Sequence, residues 1–93
     1  MNDLERLKID MAPVYLRVLS EPYVRFIGSN YVPVIDIQEV KTKKKFFLVI
    51  SSKSIGLALR EFQEENGGSL VSSEFWIHKE SNERTAKYVV SES

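Results

Sequence analysis

Val32-Pro33-Val34-Ile35-Asp36-Ile37-Gln38-Glu39-Val40, then Lys41-Thr42-Lys43-Lys44, then Lys45-Phe46-Phe47-Leu48-Val49-Ile50-Ser51 is the stretch that decides the fold. In its first segment Pro33, Ile35 and Ile37 share one parity while Val34, Asp36 and Gln38 share the other. That is the period-two alternation of a strand half exposed to water, with Pro33 near its start or on an edge. The third segment is the most apolar strand candidate in the chain. Two strands joined by so short a polar connection pair most simply as an antiparallel hairpin.

Upstream, Val14, Leu16 and Val18 alternate with Tyr15, Arg17 and Leu19, and after the interruption Ser20-Glu21-Pro22 the pattern resumes over Tyr23 to Ile27. This reads as one strand that bends or carries a bulge, closed by the turn Gly28-Ser29-Asn30. Asn2 and Glu5 have capping-box spacing, and Leu4, Leu7 and Met11 lie at i, i+3, i+7 until Pro13. A short amphipathic helix or a partly ordered arm is expected there. Downstream, Ser52 or Ser54 can cap a helix whose stripe is Ile55, Ala58, Leu59 and Phe62, and Asn66-Gly67-Gly68 stops it. Glu74 to Lys79 and Thr85 to Ser91 read as two further strands around a polar turn. The domain division is residues 1–12 as an arm and 13–93 as the folded unit.

Ninety-three residues with 43% hydrophobic content make one core and not two. The chain has no cysteine and one histidine, His78, which excludes disulfides, thiol nucleophiles and every site built on paired histidines. Asp36 and Glu39 are isolated carboxylates with no nucleophile, base or ligand set beside them in the pattern, so a non-enzymatic protein without cofactor or metal is expected. The amino terminus mixes acids and bases where a signal peptide needs an apolar run, and no segment approaches the roughly 20 apolar residues of a membrane span. A cytoplasmic protein with no membrane partner is the corresponding expectation.

Thirteen basic residues balance thirteen acidic ones, yet the distribution is uneven. From Lys41 to Arg60 there are six bases and no acid, and from Glu61 to Glu83 six acids and the single base Lys79. Lysines in such a cluster neutralise phosphates, and exposed aromatics stack on bases. The alternative for Lys41, Lys43, Lys44 and Lys45 is a solvated hairpin with edge-protecting lysines. Trp76 alternates with Phe75 and Ile77 and is expected to face outward, with a half-buried structural role as the other possibility. Phe47 and Tyr31 are further stacking candidates. Lys79, Arg84 and Lys87 of the closing hairpin join the same nucleic-acid-binding set.

The order of elements, with the initial bent strand counted once, is three strands, one helix and two strands. The closing segment Phe75-Trp76-Ile77-His78-Lys79, followed after a turn by Thr85, Tyr88 and Val90, resembles the last hairpin of small single-stranded-DNA-binding OB domains of archaea, viruses and phages. Pro33 to Ile37 leading into Phe46 to Ser51 and a short helix is similar to their middle portion. The resemblance spans Val14 to Ser91 and rests on hydrophobic patterning. It implies a mainly β, small five-stranded OB-like barrel with the helix between strands 3 and 4 and a short N-terminal helical arm. It also implies binding of single-stranded nucleic acid, DNA ahead of RNA, in replication or repair, by a monomer or small homo-oligomer. An accessory subunit that docks on a larger replication protein, such as an archaeal replicative DNA polymerase, through Leu4, Leu7 and Met11 is the alternative.

Overall fold

The computed structural model describes residues 4–83 and 86–91. Along the chain run β1 (Glu5–Arg6), β2 (Val14–Val18), β3 (Tyr23–Ile27), β4 (Asn30–Glu39), β5 (Lys45–Val49), α1 (Lys53–Glu65), β6 (Glu74–Lys79) and β7 (Tyr88–Ser91). The strands form one sheet in the order β1-β5-β4-β2-β6-β7, with β3 also paired to β4.

The expected hairpin is present as β4 and β5, antiparallel with Asp36 opposite Phe47 and Gln38 opposite Lys45. Ten residues of β4 give it room for two neighbours end to end on its other edge. β3 pairs with residues 30–34 and β2 with residues 37–39. Ser20-Glu21-Pro22 separates them. There the Asp36 N–H donates to Ser20 Oγ at 3.0 Å. The Glu21 carboxylate accepts from the Leu70 N–H at 2.9 Å and from the Ser69 hydroxyl at 2.7 Å, contacts that hold its pKa below the ordinary carboxylate range. What the pattern presents as one bent strand is therefore two strands that take successive stretches of β4, with β2 also paired to β6.

The five-stranded OB-like barrel is not what the chain forms. Among the described residues the sheet has seven strands and is open, and the helix follows the fifth strand instead of lying between the third and fourth. Two local events change the count: the break at Ser20–Pro22, and the arm, which is extended and not helical. Parallel pairing sets Glu5 beside Phe46 and Arg6 beside Phe47, and the Leu7 N–H donates to the Phe47 carbonyl at 2.9 Å. A helix of about ten residues is marginal in water, whereas the edge of β5 offers backbone partners at once. By taking that edge, β1 becomes one end of the sheet and β7 the other. The far end of the arm is tied as well, since the Lys79 N–H donates to the Asp10 carbonyl at 2.7 Å. Asn2, the proposed cap of the arm helix, and Thr85, the expected start of the last strand, lie outside the described residues.

Helix α1 follows the sequence pattern closely. The Ser52 hydroxyl caps it by accepting from the Ile55 N–H at 3.2 Å, and Ile55, Leu59 and Phe62 are buried. The Gly68 N–H donates back to the Gln63 carbonyl at 2.7 Å, and Gly67 and Gly68 take φ of +67° and +98°, a left-handed ending that glycine adopts without strain. The helix covers one sheet face, where Leu16, Ile35, Ile37, Leu48, Phe75 and Ile77 meet it, with Phe62 stacked on Phe75 at 5.4 Å. A smaller cluster, Val34, Phe47 and Val49 with Leu4, Ile27 and Val32 against it, lies on the opposite face.

The arm's apolar stripe is thereby divided. Leu7 is buried in the principal core, Leu4 packs half-buried on the smaller cluster, and Met11 is exposed. Leu7→Ala is expected to cost about 2–3 kcal/mol in urea unfolding, as deletion of a buried leucine side chain does, and Met11→Ala less than about 0.5 kcal/mol. Equal effects of the two would contradict the extended arm.

Candidate nucleic-acid interface

Cross-strand register assigns side chains to the face that α1 leaves uncovered. Residues directly opposite one another on antiparallel strands point the same way. Phe47 belongs to the cluster on that face, so Asp36 opposite it and, two residues on, Gln38 and Lys45 share it. Gln38 stands opposite Arg17, and Arg17 opposite Glu74. Lys45, Gln38, Arg17 and Glu74 therefore make a polar row across β5, β4, β2 and β6. Beside it Tyr15 stands opposite Trp76, their ring centroids 5.0 Å apart and tilted by 46°. Trp76 is 40% exposed.

Charge on the face is interlocked. The Glu74 carboxylate accepts from the Tyr15 hydroxyl at 2.9 Å and from Arg17 Nε at 2.8 Å, while Arg17 Nη2 stands 2.6 Å from Oε2. The Tyr15 hydrogen bond first, and Arg17 after it, hold the Glu74 pKa below the ordinary carboxylate range. The Tyr23 hydroxyl donates to Asp36 Oδ1 at 2.6 Å. Partial desolvation pushes that phenol up, with the hydrogen bond and negative charge of Asp36 adding to it. The Arg25 guanidinium lies 4.3 Å above the Phe47 ring. Tyr15 and Glu74 anchor Arg17, so its donors are held at a fixed place on the face.

The lysine cluster is not one surface. Lys41, Lys43 and Lys44 are exposed in the β4–β5 turn, where Lys43 takes φ of +62° and its N–H donates to the Glu39 carbonyl at 2.7 Å. Lys44 is drawn toward the arm, 3.7 Å from the Glu5 carboxylate and 5.3 Å over the Phe46 ring. Lys45 alone of the four stands in the polar row. Phe47 is 7% exposed beneath Arg25, so its ring is not presented as a platform. Tyr31 is 74% exposed but has the opposite parity, on the ribbon formed by β3 and β4, where its ring meets Phe26 at 4.9 Å. Lys79 shares the parity of buried Ile77, and its ammonium lies 5.9 Å from the Tyr88 ring centroid beside a 370 Å³ cleft under the arm. Lys87 is exposed just before β7, and Arg84 lies outside the described residues.

Arg17, Tyr15 and Gln38 were not singled out as site residues by the sequence. Their parity opposite Leu16, Val18 and Ile37 was legible, but which strands adjoin was not, and adjacency creates the row. Among the described residues no cluster of three or more histidine or acidic side chains is arranged to hold a metal, and no helix is long and apolar enough to cross a membrane. Comparison with protein-family models, with curated proteins and with solved structures finds no match.

A carboxylate whose folded-state pKa is depressed contributes stability above its unfolded-state pKa and loses it as pH falls through the folded-state value. Wild-type protein should therefore surrender the Glu74 contribution on acidification, whereas Glu74→Gln has none to surrender. The gap between their urea midpoints should be widest near neutrality and shrink toward acid pH. A gap independent of pH would show that the Tyr15–Glu74–Arg17 cluster is not linked to protonation.

Proposed function

We propose that the uncovered face binds single-stranded nucleic acid, DNA being the form to test first, without catalysis and with little dependence on sequence. The observation that carries this reading is the exposed Trp76 ring braced against Tyr15 beside the row that holds Arg17, Gln38 and Lys45. Stacking on an aromatic side chain contributes about 1–3 kcal/mol per base and is indifferent to base identity. Arginine and lysine in the adjacent row meet phosphates, and Gln38 supplies both a donor and an acceptor. A cytoplasmic role in replication or repair accords with such an activity. The arm supports no competing reading, because its central leucine is consumed in the core.

Trp76 is the only tryptophan, so its fluorescence reports on this face alone. Single-stranded DNA titrated at several salt concentrations should change that emission with an affinity that falls as salt rises. Trp76→Ala is expected to weaken binding by about 1–3 kcal/mol with the fold retained. Lys45→Gln and Arg17→Gln should each lower the logarithmic salt slope by about 0.7, the value for one phosphate contact on a single strand, while Lys44→Gln leaves it nearly unchanged. Emission insensitive to saturating DNA, or equal effects of Lys44 and Lys45, would overturn the reading.

A further inference from the structure

The ribbon of β3 and β4 carries an apolar surface that neither core uses. Val24 is 63% exposed and Phe26 59%, and their partners across the ribbon, Pro33 and Tyr31, are exposed as well. All four point to the side opposite Val32 and Val34. Residues 22–34 contain one charge, Arg25, in a chain that is 28% charged. That one charge lies on the other side of the ribbon, over Phe47.

The outer edge of β3 is equally bare. Among the described residues β3 pairs with β4 alone. The Pro33 carbonyl accepts from the Ile50 N–H at 2.9 Å and so points toward the β5 side of β4. Pro33 and Val24 are consequently a non-hydrogen-bonded pair, and Val24 and Phe26 turn their own N–H and C=O groups outward. Natural edge strands are guarded by charges, prolines or bulges. Here the two residues with outward backbone groups are valine and phenylalanine, and Pro22 stands only at the entry to the strand.

We propose that this edge pairs antiparallel with the same edge of a second copy, making a two-fold dimer whose ribbons form a continuous four-stranded sheet. The occupant is a second copy because the edge is self-complementary. A two-fold axis brings donors of each strand opposite acceptors of the other, and in the register centred on Phe26 it sets Phe26 against its own equivalent and Val24 against Gly28, with no charge for a different partner to match. In the register centred on Phe26, Arg25 faces Ile27 of the second copy, so the two guanidinium groups do not confront each other. The faces that carry Trp76 then belong to one assembly, although pairing does not depend on their binding anything.

Sedimentation velocity across a wide concentration range, joined to hydrogen exchange, tests this directly. The wild-type protein should show a concentration-dependent monomer–dimer equilibrium, and the Val24 and Phe26 amides should become protected as dimer accumulates. Phe26→Asp, which places a charge at the axis, and Val24→Pro, which removes an outward donor and leaves the β4 bonds intact, should each raise the dimer dissociation constant at least tenfold with circular dichroism unchanged. A wild-type protein that stays monomeric to millimolar concentration overturns the proposal. So does a dimer indifferent to both substitutions, or a monomer in which Phe26→Asp weakens DNA binding, which would make the ribbon a stacking platform. Because the Trp76 titration is read separately, failure of the dimer and failure of nucleic-acid binding are distinguishable.

Discussion

Everything in this domain depends on one inequality: a sheet has two faces, and the described residues supply one helix to cover them. α1 buries Ile55, Leu59 and Phe62 against one face and creates the principal core there. Among the described residues nothing forms a covering layer on the opposite face. It manages its exposure with a small apolar cluster at one end, and with hydrogen-bonded polar and aromatic side chains across the rest. A half-exposed aromatic pair next to a carboxylate-anchored arginine is what such a face can tolerate in water, and it is also a surface suited to a charged, planar ligand.

The second organising element is the length of β4. Its ten residues bond to β5 on one edge and to β2 and β3 in succession on the other. β2 lies within the reach of β6 and becomes an interior strand. β3 lies beyond it, so the β3–β4 ribbon extends past the layer that α1 covers. Gly28, with φ of +65°, opens the two-residue turn Gly28-Ser29 and keeps the ribbon in register to its tip. One strand too long for a single neighbour thus produces both the continuity of the sheet and its exposed apolar extension.

The arm shows how local and tertiary preferences compete. Leu4, Leu7 and Met11 fit a helical stripe, but read with period two Leu4 falls on one face and Leu7 on the other, and an extended chain places Leu7 and Ile9 into the principal core together. Ten residues of helix gain little by themselves, and an unfilled strand edge with its row of carbonyls and amides gains a partner immediately.

Local pattern alone determined those features whose partners are close in sequence. The β4–β5 hairpin, a serine cap at Ser52 or Ser54, the helix stripe with its glycine stop, the strand Glu74–Lys79 and the outward Trp76 all follow from residue spacing within one or two adjacent elements. Of the candidate site, the sequence identified Trp76 and Lys45 but grouped Lys45 with Lys44, which turns to Glu5, and offered Phe47, which Arg25 covers. Tertiary structure decided which strands adjoin: that Arg17 stands between Gln38 and Glu74, that Tyr15 braces Trp76, and that the bent segment 14–27 breaks into two strands on successive stretches of β4. The physical reason is that a strand's alternation fixes which side chains share its face, while its neighbours are fixed by backbone hydrogen bonds, which carry no residue code and go to whichever edge the folded chain leaves open.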